Sequence, residues 1–216
     1  MRNEFQTQLS TLQTSLLHLG ETVIELLERL SQSYQERNVE VLRWIAQQEQ
    51  MLSHAERQIE AEALDVLLRQ QPVAQDWARV GMALKTVTDW ARIGVQVCDS
   101  AAILVNHLHD IDDELRMSLS MMIDDVLGML REALQMQRLE DAQRAQLLFR
   151  LDDEVDQDFI HIRDQLVLSQ LDGERKNYGF AVDALMIAKY LERMGDHACH
   201  IAHWLLFAQS GFPREH

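Results

Sequence analysis

Apolar residues recur three and four positions apart along almost the whole of this chain. That is the period of an α-helix buried on one face. Leu9, Leu12, Leu16, Leu19, Val23, Leu26, Leu27 and Leu30 form the first such stripe. It outruns an average helix and points to an extended element of a bundle. Breaks are scarce: the 216 residues include 2 prolines and 8 glycines. A sandwich or barrel of this length needs many more turn residues. The fold class predicted is therefore all-α, with few and short connections.

The stripes divide into six predicted helices. The first ends near Glu36–Arg37–Asn38. The second is read as one helix carrying Leu42, Ile45, Leu52, Ile59, Ala63, Val66 and Leu67, closed at Pro72. The third opens at Val73 and runs through Val80, Val87, Ile93, Val97 and Leu104. After residues 107–112 the scheme restarts, with a fourth helix over Leu115, Leu119, Met122, Val126, Leu130 and Leu134. A fifth follows Arg138, and a polar loop at 171–179 precedes a sixth that stops near Gly211 and Pro213. Met117, Met121, Met122, Met129 and Met136 crowd the fourth helix, and their spacing favours core filling over an adaptable binding surface.

The third and sixth helices match each other. Arg92, Gly94 and Cys98 fall on Arg193, Gly195 and Cys199 at one common offset. Each half then reads as one copy of a three-helix unit, with 1–107 as the first and 108–216 as the second.

Charge excludes several roles. There are 35 acidic against 20 basic residues, a formal net charge of −15. Nucleic acid and polybasic membrane binding both need clustered Lys and Arg, so neither is expected. No stretch is long and apolar enough to span a bilayer; the run from Ile201 to Phe212 is too short. The polar, amphipathic opening carries no signal-peptide pattern, and Cys98 and Cys199 are isolated, so a reducing cytoplasm and buried thiols are expected. The long amphipathic helices carry an apolar surplus that fits a homodimer.

No glycine-rich phosphate loop, GxSxG, HExxH or zinc-type Cys/His spacing is present, so no catalytic residue is assigned. The carboxylates are more informative. Asp152 and Asp156 are spaced i, i+4 on the fifth helix, and Glu192 and Asp196 repeat that spacing on the sixth. Like charges so placed destabilise a helix slightly, and two such pairs facing each other call for a counter-charge. Hard cations such as Mg, Mn, Fe or Ca suit oxygen-rich sites of this kind. His200 lies one turn further along the Glu192–Asp196 stripe, and Gly195 within the motif permits close helix approach. A solvated acidic face gives the same spacing, so both readings stand at this level.

Two segments resemble a known family. Residues 63–94, with the RQQPVAQD turn, and residues 184–211, with LERMGDHA, are similar to the two repeats of the PhoU family. The likeness covers essentially the whole chain. It implies two tandem three-helix bundles and a cytoplasmic, non-enzymatic negative regulator of phosphate uptake and phosphate-starvation signalling. It also implies two protein partners, the ATPase of a phosphate ABC transporter and a sensor histidine kinase. Through them the protein would sit at the inner face of the membrane without inserting. The family's E(D)xxxD motifs hold metal clusters, which here implies Asp152, Asp156, Glu192 and Asp196 as ligands of a divalent or ferric cluster (Fe, Mn, Mg or Zn), with Asp153 and His200 as further candidates. The first repeat departs from the pattern. Glu49 is kept, but Ser53, Ala91 and Val95 replace three acids, and Asp99 stands where the second repeat has His200. One metal site is therefore expected, in the second repeat. A metal-free helical interaction protein and a carboxylate-bridged metalloenzyme are the alternatives, the latter weakened by the lack of a Glu-x-x-His pair on the relevant helices.

Overall fold

A computed structural model describes residues 2–70, 74–171 and 178–210. All the regular structure among them is helical: α1 (Arg2–Glu36), α2 (Val39–Ala46), α3 (Glu49–Gln70), α4 (Ala74–His107), α5 (Asp113–Leu139), α6 (Ala145–Leu171) and α7 (Tyr178–Ser210), with a short 3-10 turn at Ala142–Arg144. Six of the helices are long and form two similar three-helix bundles, α1–α3–α4 and α5–α6–α7. The expected breaks at Pro72, in most of 171–179 and at Gly211–Pro213 lie outside the described residues.

The ends of α1 and α5 and the start of α5 have local causes. After α1, Arg37 takes the left-handed conformation at φ 56°. Asn38 then donates its N–H to Ser33 O at 2.8 Å and accepts from Val41 N through its side chain, so one residue closes α1 and caps α2. The end of α5 repeats this device. Glu140 sits at φ 51°, and Asp141 N donates to Met136 O at 3.1 Å. Asp112 caps α5 by accepting from Leu115 N at 2.8 Å.

The second stripe is not one helix. The chain leaves the helix at Gln47–Gln48, where Gln47 N bonds back to Trp44 O at 3.2 Å, and α3 restarts at Glu49. The bend lets Leu42 and Ile45 of α2 and Leu52 of α3 all reach the core. Neither Gly nor Pro marks it, so burial rather than local propensity fixes it.

The repeat extends to the buried positions. Leu12, Leu16, Val23, Leu27 and Leu30 of α1 correspond to Leu115, Leu119, Val126, Leu130 and Ala133 of α5, and all are buried. Leu52 and Ile59 of α3 correspond in the same way to Val155 and Ile162 of α6. Of the five methionines on α5, Met122, Met129 and Met136 fill the core as expected. Met117 and Met121 do not; they stand 64% and 57% exposed.

The two bundles pack along α4 and α7 and along α1 and α5, and their buried side chains form one continuous core. Trp90 of α4 is fully buried there, donating from Nε1 to Gln137 Oε1 of α5 at 3.0 Å. Gln137 Nε2 in turn donates to Thr86 Oγ1 at 3.1 Å, so this buried polar group is satisfied across the repeat boundary. Gly20 makes the approach of α1 possible: a Cβ there would stand 2.8 Å from Leu134 Cδ1 and 3.0 Å from the Trp90 ring. No described helix is long and apolar enough to cross a membrane.

Candidate functional site

In the second bundle the acids of α6 meet α7 around Gly195. A Cβ on Gly195 would stand 3.0 Å from Asp152 Oδ1 and 3.4 Å from Met129 Sδ. The glycine therefore makes room for a carboxylate at a helix crossing. Asp152 is half-buried, and its carboxyl is pushed above the usual range, first by burial and then by the charges of Asp156, Asp196 and Asp153. Those three are exposed. A hydrogen bond with the buried Cys199 thiol offsets part of the rise. The thiol itself is pushed well up, by burial and by its acidic neighbours Asp152, Asp196 and Asp156. It is protonated at neutral pH and is not a nucleophile.

Glu192 is held apart from this group in its pairing. Lys189 Nζ meets Glu192 Oε1 at 2.5 Å and also lies 5.3 Å from the centre of the Phe159 ring. Glu192 Oε2 is buried and has no hydrogen-bond partner. A buried carboxylate oxygen without a donor is costly, and a cation is one way to satisfy it.

His200 faces elsewhere. Its Nδ1 lies 3.5 Å from Asp89 Oδ1 of α4, and His197 Nδ1 lies 2.9 Å from the same oxygen. Among the described residues, Asp89, His197 and His200 form the group whose ligand atoms all lie within 4.8 Å of one another. Asp89 was not singled out in the sequence, because its partner is 108 positions away and no spacing rule connects them.

The same region of the first bundle is built differently. Gly94 again marks the crossing, but a Cβ there would meet Leu52 Cδ1 at 2.7 Å and Val23 Cγ2 at 3.1 Å, both apolar. Ala91 is buried, while Ser53 and Val95 are half-buried. Asp99 is not isolated: burial and then the charge of Glu49 raise its carboxyl above the usual range. Burial, Asp99 and Glu49 together push the Cys98 thiol up to about 11. Two acids beside a buried thiol thus survive where the second bundle has three.

A protein-family model described as "PhoU domain" matches the chain twice, at residues 16–104 and 119–205. A "Phosphate-specific transport system accessory protein PhoU homolog" of Deinococcus radiodurans is 27% identical over 207 residues, covering 94% of each chain. A PhoU homolog 1 of Thermotoga maritima is 25% identical, over 96% of this chain and 89% of that one. The crystal structure of PhoU from Pseudomonas aeruginosa superposes with a TM-score of 0.89 at 22% identity, over 95% of this chain and 99% of that one. A Streptococcus pneumoniae phosphate transport system regulatory protein PhoU gives 0.87, also at 22% identity, over 95% and 97%. With both halves matched by the same model and the fold shared throughout, the chain belongs to the PhoU family.

Proposed function

We propose that this protein is a cytoplasmic accessory regulator of phosphate transport, acting by protein–protein contact and not by catalysis. Two tandem PhoU repeats spanning the chain are the observation that carries this reading, together with relatives named as accessory proteins of the phosphate-specific transport system. The working units are 1–107 and 108–216. The partners are the transporter's ATPase and a sensor histidine kinase, met at the inner face of the membrane by a homodimer.

A metal cluster in the second repeat belongs to the same proposal. Asp152, Asp156, Glu192 and Asp196 would hold it, with Asp153 beside them. Three observations fit a hard cation: the mutual repulsion at Asp152, the unpartnered Glu192 Oε2 and the space kept clear at Gly195. A bound divalent or ferric ion would supply positive charge to these acids and open positions for oxygen ligands such as phosphate. This chain's own residues set the frame: Gly195 admits Asp152, Lys189 orients Glu192, and Cys199 donates to Asp152. Lys189 and Cys199 also favour the metal-free reading, since each already satisfies one acid.

Affinity purification from phosphate-replete cells tests the adaptor role, paired with a phosphate-starvation reporter in a deletion strain. Recovery of the transporter ATPase or the kinase, with the reporter switched on by deletion, is the expected result. A silent reporter and neither partner recovered would sink it.

A further inference from the structure

We propose that Asp89, His197 and His200 form a second metal site, for a first-row transition ion of the zinc class, that ties α4 of the first repeat to α7 of the second. It differs from the carboxylate cluster in its donors, and its carboxylate comes from α4 of the other repeat rather than from α6. Two imidazole nitrogens and one carboxylate oxygen are borderline ligands, which suit Zn, Co, Ni or Cu better than Mg or Ca.

The geometry is nearly assembled. Asp89 Oδ1 lies 2.9 Å from His197 Nδ1 and 3.5 Å from His200 Nδ1. Zinc binds such ligands at about 2.0–2.2 Å, which places tetrahedral ligand atoms about 3.3 Å apart. The two observed separations bracket that spacing. The imidazoles stand one helical turn apart on α7, with ring centres 5.6 Å apart and planes at 81°, so they converge without stacking.

Burial is graded as an accessible site requires. The side chains of Asp89, His197 and His200 are 12%, 18% and 58% exposed. The open side at His200 gives an ion a route in and leaves a fourth position to water or another small ligand. For an ion to bind there, His197 presents a bare Nδ1 and keeps its ring proton on Nε2, so the metal replaces the Nδ1···Oδ1 contact with Asp89.

An Asp–His hydrogen bond that merely packs two helices needs no third member. It would also be expected to recur if the repeat architecture required it. At the positions corresponding to Asp89, His197 and His200, the opposite repeats carry Tyr190, Gln96 and Asp99. The trio is therefore particular to one side of the α4–α7 interface. An ion held there stabilises the contact between the repeats by linkage, because it binds only when both helices are in place.

Full-length protein stripped of metal with chelator and titrated with Co2+ tests the site. The expected result is a set of visible bands of a low-coordinate, histidine-ligated ion, displaced by Zn2+, with Zn2+ raising the melting temperature. His200→Ala changes an exposed side chain and should keep the metal-free melting temperature, yet lose the bands and about tenfold or more in Co2+ affinity. Asp89→Asn is the second variant, with its fold checked by circular dichroism. Asp152→Asn combined with Asp196→Asn should leave the bands unchanged. Bands that survive His200→Ala, that vanish only with the two α6–α7 carboxylates, or that never form in the wild type would each overturn the proposal.

Discussion

The two bundles solve the same helix crossing in opposite ways. On α4, Gly94 lets the apolar Leu52 come close; on α7, the corresponding Gly195 lets the carboxylate of Asp152 come close. The flanking positions follow suit, Ala91 and Val95 against Glu192 and Asp196. The architecture therefore does not depend on the acids. Apolar side chains fill the first crossing, where a carboxylate and a methionine fill the second. The acids of the second bundle are then a chemical feature at a crossing that the first bundle makes with apolar side chains.

The largest test of that contrast is in the core. Leu52 is fully buried, and Leu52→Ala should destabilise the protein by about 2–5 kcal/mol, the usual result of leaving a cavity. Asp152→Ala should change metal-free stability by less than about 1 kcal/mol, because removing it also removes repulsion from its neighbours. Chemical denaturation of both variants compares them directly. Equal losses would break the account of the two crossings.

The glycines come next. Gly94→Ala gains about 1 kcal/mol of helix propensity but overpacks Leu52 and Val23, for a net loss of about 1 kcal/mol. Gly195→Ala meets a carboxylate that can rotate away, so its melting temperature should stay near wild type. A larger loss at Gly195 than at Gly94 would reverse the comparison.

A third difference is electrostatic. Asp158 of α6 is pushed up to about 6, first by burial and then by its hydrogen bond and charge contact with Asp125 of α5. The first repeat has Ala55 and Thr22 at these places. The folded state holds the Asp158 proton over a window where the unfolded chain has lost it. Stability from this group is therefore present near pH 4 and falls as pH rises through about 6. Asp158→Asn should flatten that fall, raising stability at pH 7 by about 1 kcal/mol or less after solvent screening. Melting temperatures from pH 4 to 7 read it; a parallel pair of curves would count against the shared proton.

The smallest effect should come from the exposed pairs that link α5 to α1. Arg131 meets Glu28 at 2.6 Å and Arg138 meets Glu21 at 2.5 Å. Arg131→Ala should lower stability by roughly a few tenths of a kcal/mol, and less in high salt. A loss above that would mean the ion pairs, not the shared core, join the bundles.

Much of this fold was legible because helical stripes and capping residues act locally. The break at Glu36–Asn38 and the restart at Asp112–Asp113 follow from residues within five positions of each other. The bend at Gln47–Gln48 was not legible, since it answers to where Leu42, Ile45 and Leu52 must be buried. The site divides the same way. The i, i+4 acids and the small Gly195 stand out in the sequence. The Cys199–Asp152 contact and the turn of His200 toward Asp89 depend on how α6 and α4 meet α7, and no single-helix pattern encodes that.

On the reading proposed above, hard-metal binding belongs to the second bundle alone. It is tested most directly by counting Mn2+ bound to the full-length protein in a His200→Ala background, which silences the inter-repeat group. One site should remain there, should disappear with Asp152→Asn and Asp196→Asn, and should survive Glu49→Gln. Mn2+ that survives the double substitution but is lost with Glu49→Gln would contradict the account and place the metal in the first bundle.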